Sequence, residues 1–187
     1  AARRAMASVG FGAIIDAASR KHGVNAALIV MTIATEVGFA RAEGFTRSKT
    51  FRWEAHVPNR DVTPPFKGTY SAGPMQVLAT TARGIVREMK LDYDPFEVAP
   101  ALRVRPVTVP QSLPFYDAAL SIDIGAGVFR RQMRLSGAHP ILVAPAYNSA
   151  GLYRSRSNAW RLRSHGDHLD RAAGWYGDAC AVLKERG

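Results

Sequence analysis

A single glutamate, Glu36, stands at the end of the most apolar stretch of the sequence. Burying a carboxylate among apolar side chains costs free energy, and the negative end of a helix dipole adds to that cost. Both effects raise the pKa of a carboxyl group, and a carboxyl that stays protonated near neutral pH can protonate the leaving oxygen of a glycosidic bond. Glu36 is therefore a candidate general acid. The alternative is a solvent-exposed side chain at a frayed helix end, or an ion pair with one of the many arginines.

A second carboxylate is required for some glycosidase mechanisms and not for others. Retaining and inverting enzymes use a pair of carboxyl groups, whereas substrate-assisted cleavage uses the N-acetyl group of the sugar in place of the second one. Glu54 is the best candidate for this role, because it lies in an aromatic and basic segment after the acid. An ion pair with Arg52 or Arg60 is its alternative role. The other candidates in the same stretch are Glu43 and Asp61.

The helix that carries Glu36 is predicted over Ala26–Gly38, with Asn25 as its N-cap. Apolar residues occupy nearly every position of this segment, which is typical of a helix in the middle of a core. Its β-branched residues leave a buried strand as the alternative, but its length favours a helix. Before it, the spacing of apolar residues over Phe11–Lys21 predicts an amphipathic helix.

The rest of the chain is predicted to be mostly helical, within one domain over residues 1–187. The stretch Arg41–Thr69 has no sustained period and predicts a long functional loop or a small irregular lobe. Alternation over Arg103–Val109 allows one short strand. We therefore expect a mainly α domain with irregular loops and at most a small β element. Further helices are predicted over Met75–Met89, Pro114–Leu135, Ile141–Ala150 and Leu169–Lys184.

Three ordered motifs resemble the soluble lytic transglycosylase and goose-type lysozyme family. The first is the apolar run that ends in Glu36, the second is Ser71–Gln76, and the third is Ala146–Gly151. The likeness covers about Phe11–Leu183. The sequence departs from the family pattern at Val37, where Ser is common, at Pro74, where Leu is usual, and at Gly151, which comes one place late.

The resemblance implies a lysozyme-like fold that cleaves the β-1,4 bond between N-acetylmuramic acid and N-acetylglucosamine in peptidoglycan. Glu36 matches the catalytic acid of the family. The product of the family reaction would be a 1,6-anhydro end, formed without a second protein carboxylate. Hydrolysis would instead need Glu54 or Asp61 as the second carboxylate. Chitin is a further possible substrate. The segment Phe51–His56 is similar to phage-type relatives and implies a phage lysin. The residues that match the substrate-binding part are Ser71, Gly73, Met75, Gln76, Tyr147 and Asn148, and Tyr70 beside them either stacks on a sugar or belongs to the core.

The charge of the chain implies a negatively charged partner. It has 25 Lys and Arg against 15 Asp and Glu, a net charge of +10, which raises encounter rates with anionic polymers and surfaces. We expect peptidoglycan strands as the partner, with an outer-membrane surface as a second one, and a monomer that needs no cofactor or metal. We expect action at the cell wall in the periplasm, although no secretory signal is visible. The arginines of the most basic patch are Arg154, Arg156, Arg161, Arg163 and Arg171.

Two rival functions remain open at this point. A nucleic-acid-binding helical domain would explain the charge, but it has no need of an acid at the end of a buried helix, so we do not expect nucleic acid as a partner. A non-catalytic wall-binding relative would explain Val37 and Pro74. Measurement of turnover separates this second rival from an enzyme.

Overall fold

A computed structural model of the chain describes residues 11–37, 50–60, 64–92, 102–149, 153–154, 162–163 and 168–185. In these parts the protein is mainly α with a small three-stranded antiparallel sheet, as predicted. The α-helices are α1 (Phe11–His22), α2 (Ala26–Glu36), α3 (Ala79–Met89), α4 (Ala118–Ser136), α5 (Pro140–Ser149) and α6 (His168–Lys184). The strands are β1 (Arg52–Asn59), β2 (Phe66–Ala72) and β3 (Val77–Leu78), with a separate pair β4 (Tyr153–Arg154) and β5 (Leu162–Arg163).

Helix α2 lies in the core, and its N-terminus is fixed by the predicted cap. The Asn25 side chain accepts a hydrogen bond from the Ala27 N–H at 2.8 Å and donates one to the Tyr176 hydroxyl of α6 at 3.0 Å. All residues from Ala27 to Ala34 are buried, and α2 packs against α1, α4, α5 and α6. The helical alternative for this segment is therefore correct, and the strand alternative is wrong.

Helix α1 is tied to α4 by a buried polar group. The His22 Nε2 lies 2.6 Å from Asp123 Oδ1, and the Lys21 ammonium lies 2.7 Å from the other oxygen of the same carboxylate. His22 is buried where α1 ends, so this contact fixes the angle between the two helices. A short 3-10 turn over Pro114–Tyr116 precedes α4, and the Asp117 side chain caps α4 by accepting from the Leu120 N–H at 2.8 Å.

The sheet corrects two predictions. The described part of Arg41–Thr69 is an antiparallel β1–β2 hairpin rather than an irregular loop, with Arg52 opposite Ser71 and Asn59 opposite Phe66. The pairing register of β1 with β2 shifts between Glu54 and Pro58. This bulge interrupts the alternation of apolar and polar residues by which a strand is recognised in a sequence. Conversely, residues 102–113 contain no strand. Val104 and Val107 are exposed to solvent, so burial of their apolar side chains does not stabilise a strand there.

Two helix boundaries also differ from the predictions. Residues 73–76 form a turn, so α3 begins at Ala79 instead of Met75, and α4 begins at Ala118 after the 3-10 turn. The last helix, α6, follows its prediction to within one residue. None of the helices in the described ranges is long and apolar enough to cross a membrane.

Candidate active site

Glu36 is the last residue of α2, at the point where the buried helix reaches a cleft. The Val37 N–H closes the helix by donating to the Ile33 carbonyl at 3.2 Å, and Thr35 donates its hydroxyl to the Met31 carbonyl at 2.9 Å. These contacts hold the last turn of α2 in helical form, so the Glu36 side chain leaves the core in a fixed direction. It is partly buried.

The cleft has a volume of about 790 Å³ and is bordered by both the helices and the sheet. This volume lies within the range of sites that hold a ligand of several rings. Glu36 stands in one wall, β1 and β2 form the second, and α3 and α4 close the far end. The lining residues from the helical wall and the sheet include Glu36, Arg52, Glu54, Ser71, Tyr147 and Asn148.

The environment of Glu36 changes its protonation. Burial raises the pKa of Glu36 from 4.5 to about 7, although the positive charges of Arg52 and Arg171 and a hydrogen bond from the Asn148 side chain oppose this rise. The negative charge of Glu54 acts with burial and raises the pKa further. A carboxyl group with this pKa is half protonated at neutral pH, which suits a group that gives up a proton and later takes one back.

Tyr147 lies beside Glu36 and is held from two sides. Its hydroxyl donates to the Met75 carbonyl at 2.8 Å, and its ring packs on Phe129 with ring centroids 4.7 Å apart. Burial, together with the charge of Glu36, raises the pKa of Tyr147 well above its usual value. The phenol therefore stays neutral and keeps its hydroxyl at the inner wall of the cleft.

The Gly73–Gln76 turn forms the floor beside the sheet and is fixed by its own side chains. Gln76 has a left-handed backbone, with φ of 49°, and its amide nitrogen donates to the carbonyls of Thr50 at 2.5 Å and Gly73 at 2.9 Å. Its amide oxygen accepts from the Ser71 hydroxyl at 3.1 Å. Gln76 and Ser71 both line the cleft, but these contacts engage the Gln76 amide within the turn.

Three residues near the second motif lie in the core: Tyr70, for which both a sugar-stacking and a core role were open, and Gly73 and Met75, which the resemblance placed in substrate binding. Tyr70 is 3% exposed, stacks on Phe51 and lies tilted against Phe115, so the core alternative for Tyr70 is correct. Gly73 and Met75 are also buried, and Met75 packs beneath Tyr147 with its N–H on the Ser121 hydroxyl at 3.3 Å. They shape the cleft from below and do not line it.

Glu54 lies in the same cleft as Glu36, and Asp61 lies outside the described residues. The Glu54 side chain is 19% exposed, with Arg52 Nε and His56 Nδ1 each 4.0 Å from its carboxylate oxygens. These separations are at the outer limit of an ion pair, so the expected pairing with Arg52 is present but loose. Its charge acts on Glu36 across the cleft.

Part of the predicted basic patch lies near the site. Arg171 on α6 is exposed, and its charge stabilises ionised Glu36. Arg156 and Arg161 lie outside the described residues, and Arg154 and Arg163 belong to β4 and β5. In the described part of the chain no group of His, Cys, Asp and Glu has the arrangement of a metal site.

The far end of the cleft contains residues that sequence reasoning missed. Thr81 of α3 and Val128, Arg131, Gln132 and Leu135 of α4 line it. Gln132 itself was the signal available in the sequence. It follows Val128 by four positions and Phe129 by three, which places a polar residue on the buried, apolar face of the helix. A buried polar side chain on such a face needs a partner, and a ligand is one kind of partner.

Comparison of the chain with models of known protein families, with curated proteins and with solved structures gives no match. The resemblance to lytic transglycosylases therefore rests on the three motifs.

The raised pKa of Glu36 predicts a pH-dependent stability. Between about pH 4.5 and 7 the Glu36 carboxyl is protonated more often in the folded protein than in the unfolded chain. The free energy of unfolding therefore falls as the pH rises through that window. Replacing Glu36 by Gln removes the effect. We expect the variant to match the wild type near pH 4 and to exceed it by about 1–3 kcal/mol at pH 8, measured by urea unfolding.

The exposed Asp92 provides a control for this measurement. The Asp92→Asn variant removes one carboxylate from an exposed position, so it measures the effect of the change in charge without the effect of burial. A Glu36→Gln variant whose stability relative to the wild type is constant from pH 4 to pH 8 would contradict the assignment of a raised pKa to Glu36.

Proposed function

We propose that the protein cleaves the β-1,4 bond between N-acetylmuramic acid and N-acetylglucosamine in peptidoglycan, as a lytic transglycosylase with Glu36 as its acid. The observation that carries the proposal is a glutamate with a pKa of about 7 in the wall of an open cleft of about 790 Å³. A carboxyl of this kind serves proton transfer, and the cleft has room for several sugar rings. The motif order over Phe11–Leu183 supports the same activity.

The proposed reaction begins with protonated Glu36, which gives its proton to the glycosidic oxygen as the bond to the anomeric carbon breaks. The N-acetyl oxygen of the muramic acid then attacks the anomeric carbon from the other face. The carboxylate of Glu36 next removes the proton of the C6 hydroxyl, whose oxygen displaces the N-acetyl group and gives a 1,6-anhydro end. Tyr147 and Asn148 lie beside Glu36, where they position the N-acetyl group and the carboxyl.

Hydrolysis is the second candidate, and a specific observation favours it. Glu54 lines the same cleft, and its negative charge is the smallest of the contributions to the pKa of Glu36, acting in the same direction as burial. In a hydrolase, Glu54 would act as the second carboxylate, as a base towards water or as a nucleophile. The product would then be an ordinary reducing end.

The two candidates are separated by the products formed from peptidoglycan sacculi in water enriched in ¹⁸O. Transglycosylation gives anhydro fragments without the label, whereas hydrolysis gives reducing ends that contain it, and mass spectrometry distinguishes both. We expect unlabelled anhydro ends, and we expect Glu54→Gln to retain turnover. Labelled products together with loss of activity in Glu54→Gln would establish the hydrolase. A protein that releases no fragment from sacculi or from chitin oligosaccharides contradicts both candidates.

Tyr147 is expected to act on both stability and turnover. Replacing it by Phe leaves the Met75 carbonyl without its hydroxyl donor and should cost about 1 kcal/mol of unfolding free energy. It also removes a polar group beside Glu36, so we expect turnover on sacculi to fall about tenfold.

Tyr176→Phe is the matched control, since its hydroxyl bonds Asn25 away from the cleft. This variant should lose a similar amount of stability and keep its turnover. Equal turnover in the two variants would show that the Tyr147 hydroxyl has no part in the reaction.

A further inference from the structure

The far end of the cleft is built differently from the part around Glu36. Gln132 is 3% exposed and forms part of the wall, whereas Leu135, one turn further along α4, is 72% exposed at the rim. Thr81 of α3 and Val128 complete this end. The proposed cleavage chemistry uses none of these side chains, although together they offer an apolar surface and polar groups to a ligand.

Gln132 has an unused hydrogen-bonding group. Its side-chain oxygen is buried and has no hydrogen-bond partner among the described residues. Leaving a buried acceptor unsatisfied costs roughly 1–3 kcal/mol. The Gln132 side chain borders the cleft, so a turn of its amide group would present this covered oxygen to a ligand. An N–H or O–H donor of the ligand would satisfy it.

Arg131 stands next to Gln132 and is held in position. Its Nε donates to the Glu88 carboxylate at 2.5 Å, which uses one of the five donors of the guanidinium group. The guanidinium lies over Gly84, where an added Cβ would come within 3.2 Å of its Nη2 atom. Arg134 pairs with the same carboxylate, so two guanidinium groups share one negative charge and these three groups together carry one positive charge beside the cleft.

We infer that this end of the cleft binds a carboxylate-bearing peptide attached to the glycan. Arg131 binds the carboxylate, Gln132 accepts an amide N–H of the peptide, and Leu135 contacts an apolar side chain. A bare sugar ring carries no charge for Arg131, whereas a short acidic peptide offers all three groups at once. The inference rests on the proposed function, because the muramic acid of peptidoglycan carries such peptides.

The test compares two soluble probes in a protein that cannot turn them over. The probes are a peptidoglycan tetrasaccharide with its peptides and the same tetrasaccharide after an amidase has removed them, titrated calorimetrically into Glu36→Gln. We expect the peptide-bearing probe to bind about tenfold more tightly, with a difference that shrinks at high salt. Adding Arg131→Gln or Gln132→Met should abolish the discrimination between the probes. Arg20→Gln, an equal change of charge on the exposed face of α1, should preserve it.

Each outcome decides a different point. Equal affinity for the two probes in Glu36→Gln overturns the inference and leaves the proposed function standing. Binding of neither probe contradicts the proposed function, and the inference fails with it. If Gln132→Met does not fold, Arg131→Gln and Leu135→Ser at the exposed rim provide the same comparison, and retained discrimination in both overturns the inference.

Discussion

The Glu36→Gln variant is expected to turn over peptidoglycan about 10²- to 10⁴-fold more slowly than the wild type, since positioned acid–base groups contribute factors of this size. Gln has nearly the same shape as Glu but cannot transfer a proton. The wild-type rate should also fall as the pH rises through about 7, because the protonated carboxyl is then depleted. Release of soluble fragments from sacculi, followed over time at pH 5 to 9, measures both effects.

The control for this prediction is Glu185→Gln, which makes the same change at an exposed residue just beyond α6. Its turnover and pH profile should match the wild type. A Glu36→Gln variant that is folded and retains wild-type turnover would remove Glu36 from the reaction and direct attention to Glu54 as the only other described carboxylate in the cleft lining.

The Gly73→Ala variant is expected to lose about 3 kcal/mol or more of unfolding free energy. Gly73 has φ of 75°, and an added Cβ would lie only 1.8 Å from the Phe115 carbonyl oxygen, a contact with backbone that no rotamer can relieve. The turn and the 3-10 segment must move apart, which also displaces Gln76 and the floor of the cleft. A thermal melt should show a midpoint roughly 6–12 °C lower, and turnover should fall even where the variant is folded.

Gly23→Ala separates the clash from the backbone strain. Gly23 has a similar left-handed φ of 63°, but an added Cβ there meets no atom within 4 Å. This control should lose only about 1 kcal/mol. Equal losses in the two variants would show that the approach of Gly73 to Phe115 is not tight in solution.

The helical framework could be predicted from the sequence because its signals are local. Apolar residues around the whole of α2 and the Asn25 cap defined that helix almost to the residue. The same local features suggested a raised pKa for Glu36, since both burial and position at a helix end follow from the pattern. Strand pairing depends on distant residues, which is why the bulged β1–β2 hairpin was missed and why the short strand that alternation allowed over Arg103–Val109 is absent.

The site was predicted less completely than the helices. A motif shows which residues are close in sequence, but it does not show which side of a turn they face. Gly73 and Met75 therefore appeared to line the groove although they lie beneath it, while Ser71 and Gln76 of the same motif do line it. Arg131 and Gln132 enter the cleft from α4, far along the chain, and only the packing of α3 against α4 brings them there.

The enclosure of α2 has a consequence for how the site behaves as the protein fluctuates. Amide hydrogens of a helix buried on all sides exchange with solvent only when most of the molecule opens, whereas a short bulged hairpin opens far more often. Glu36 is thus expected to belong to a slowly exchanging unit among the described residues, and the opposite wall to a faster one. Under the proposed function, the sheet side would loosen to admit or release a long polymer while Glu36 stays in place.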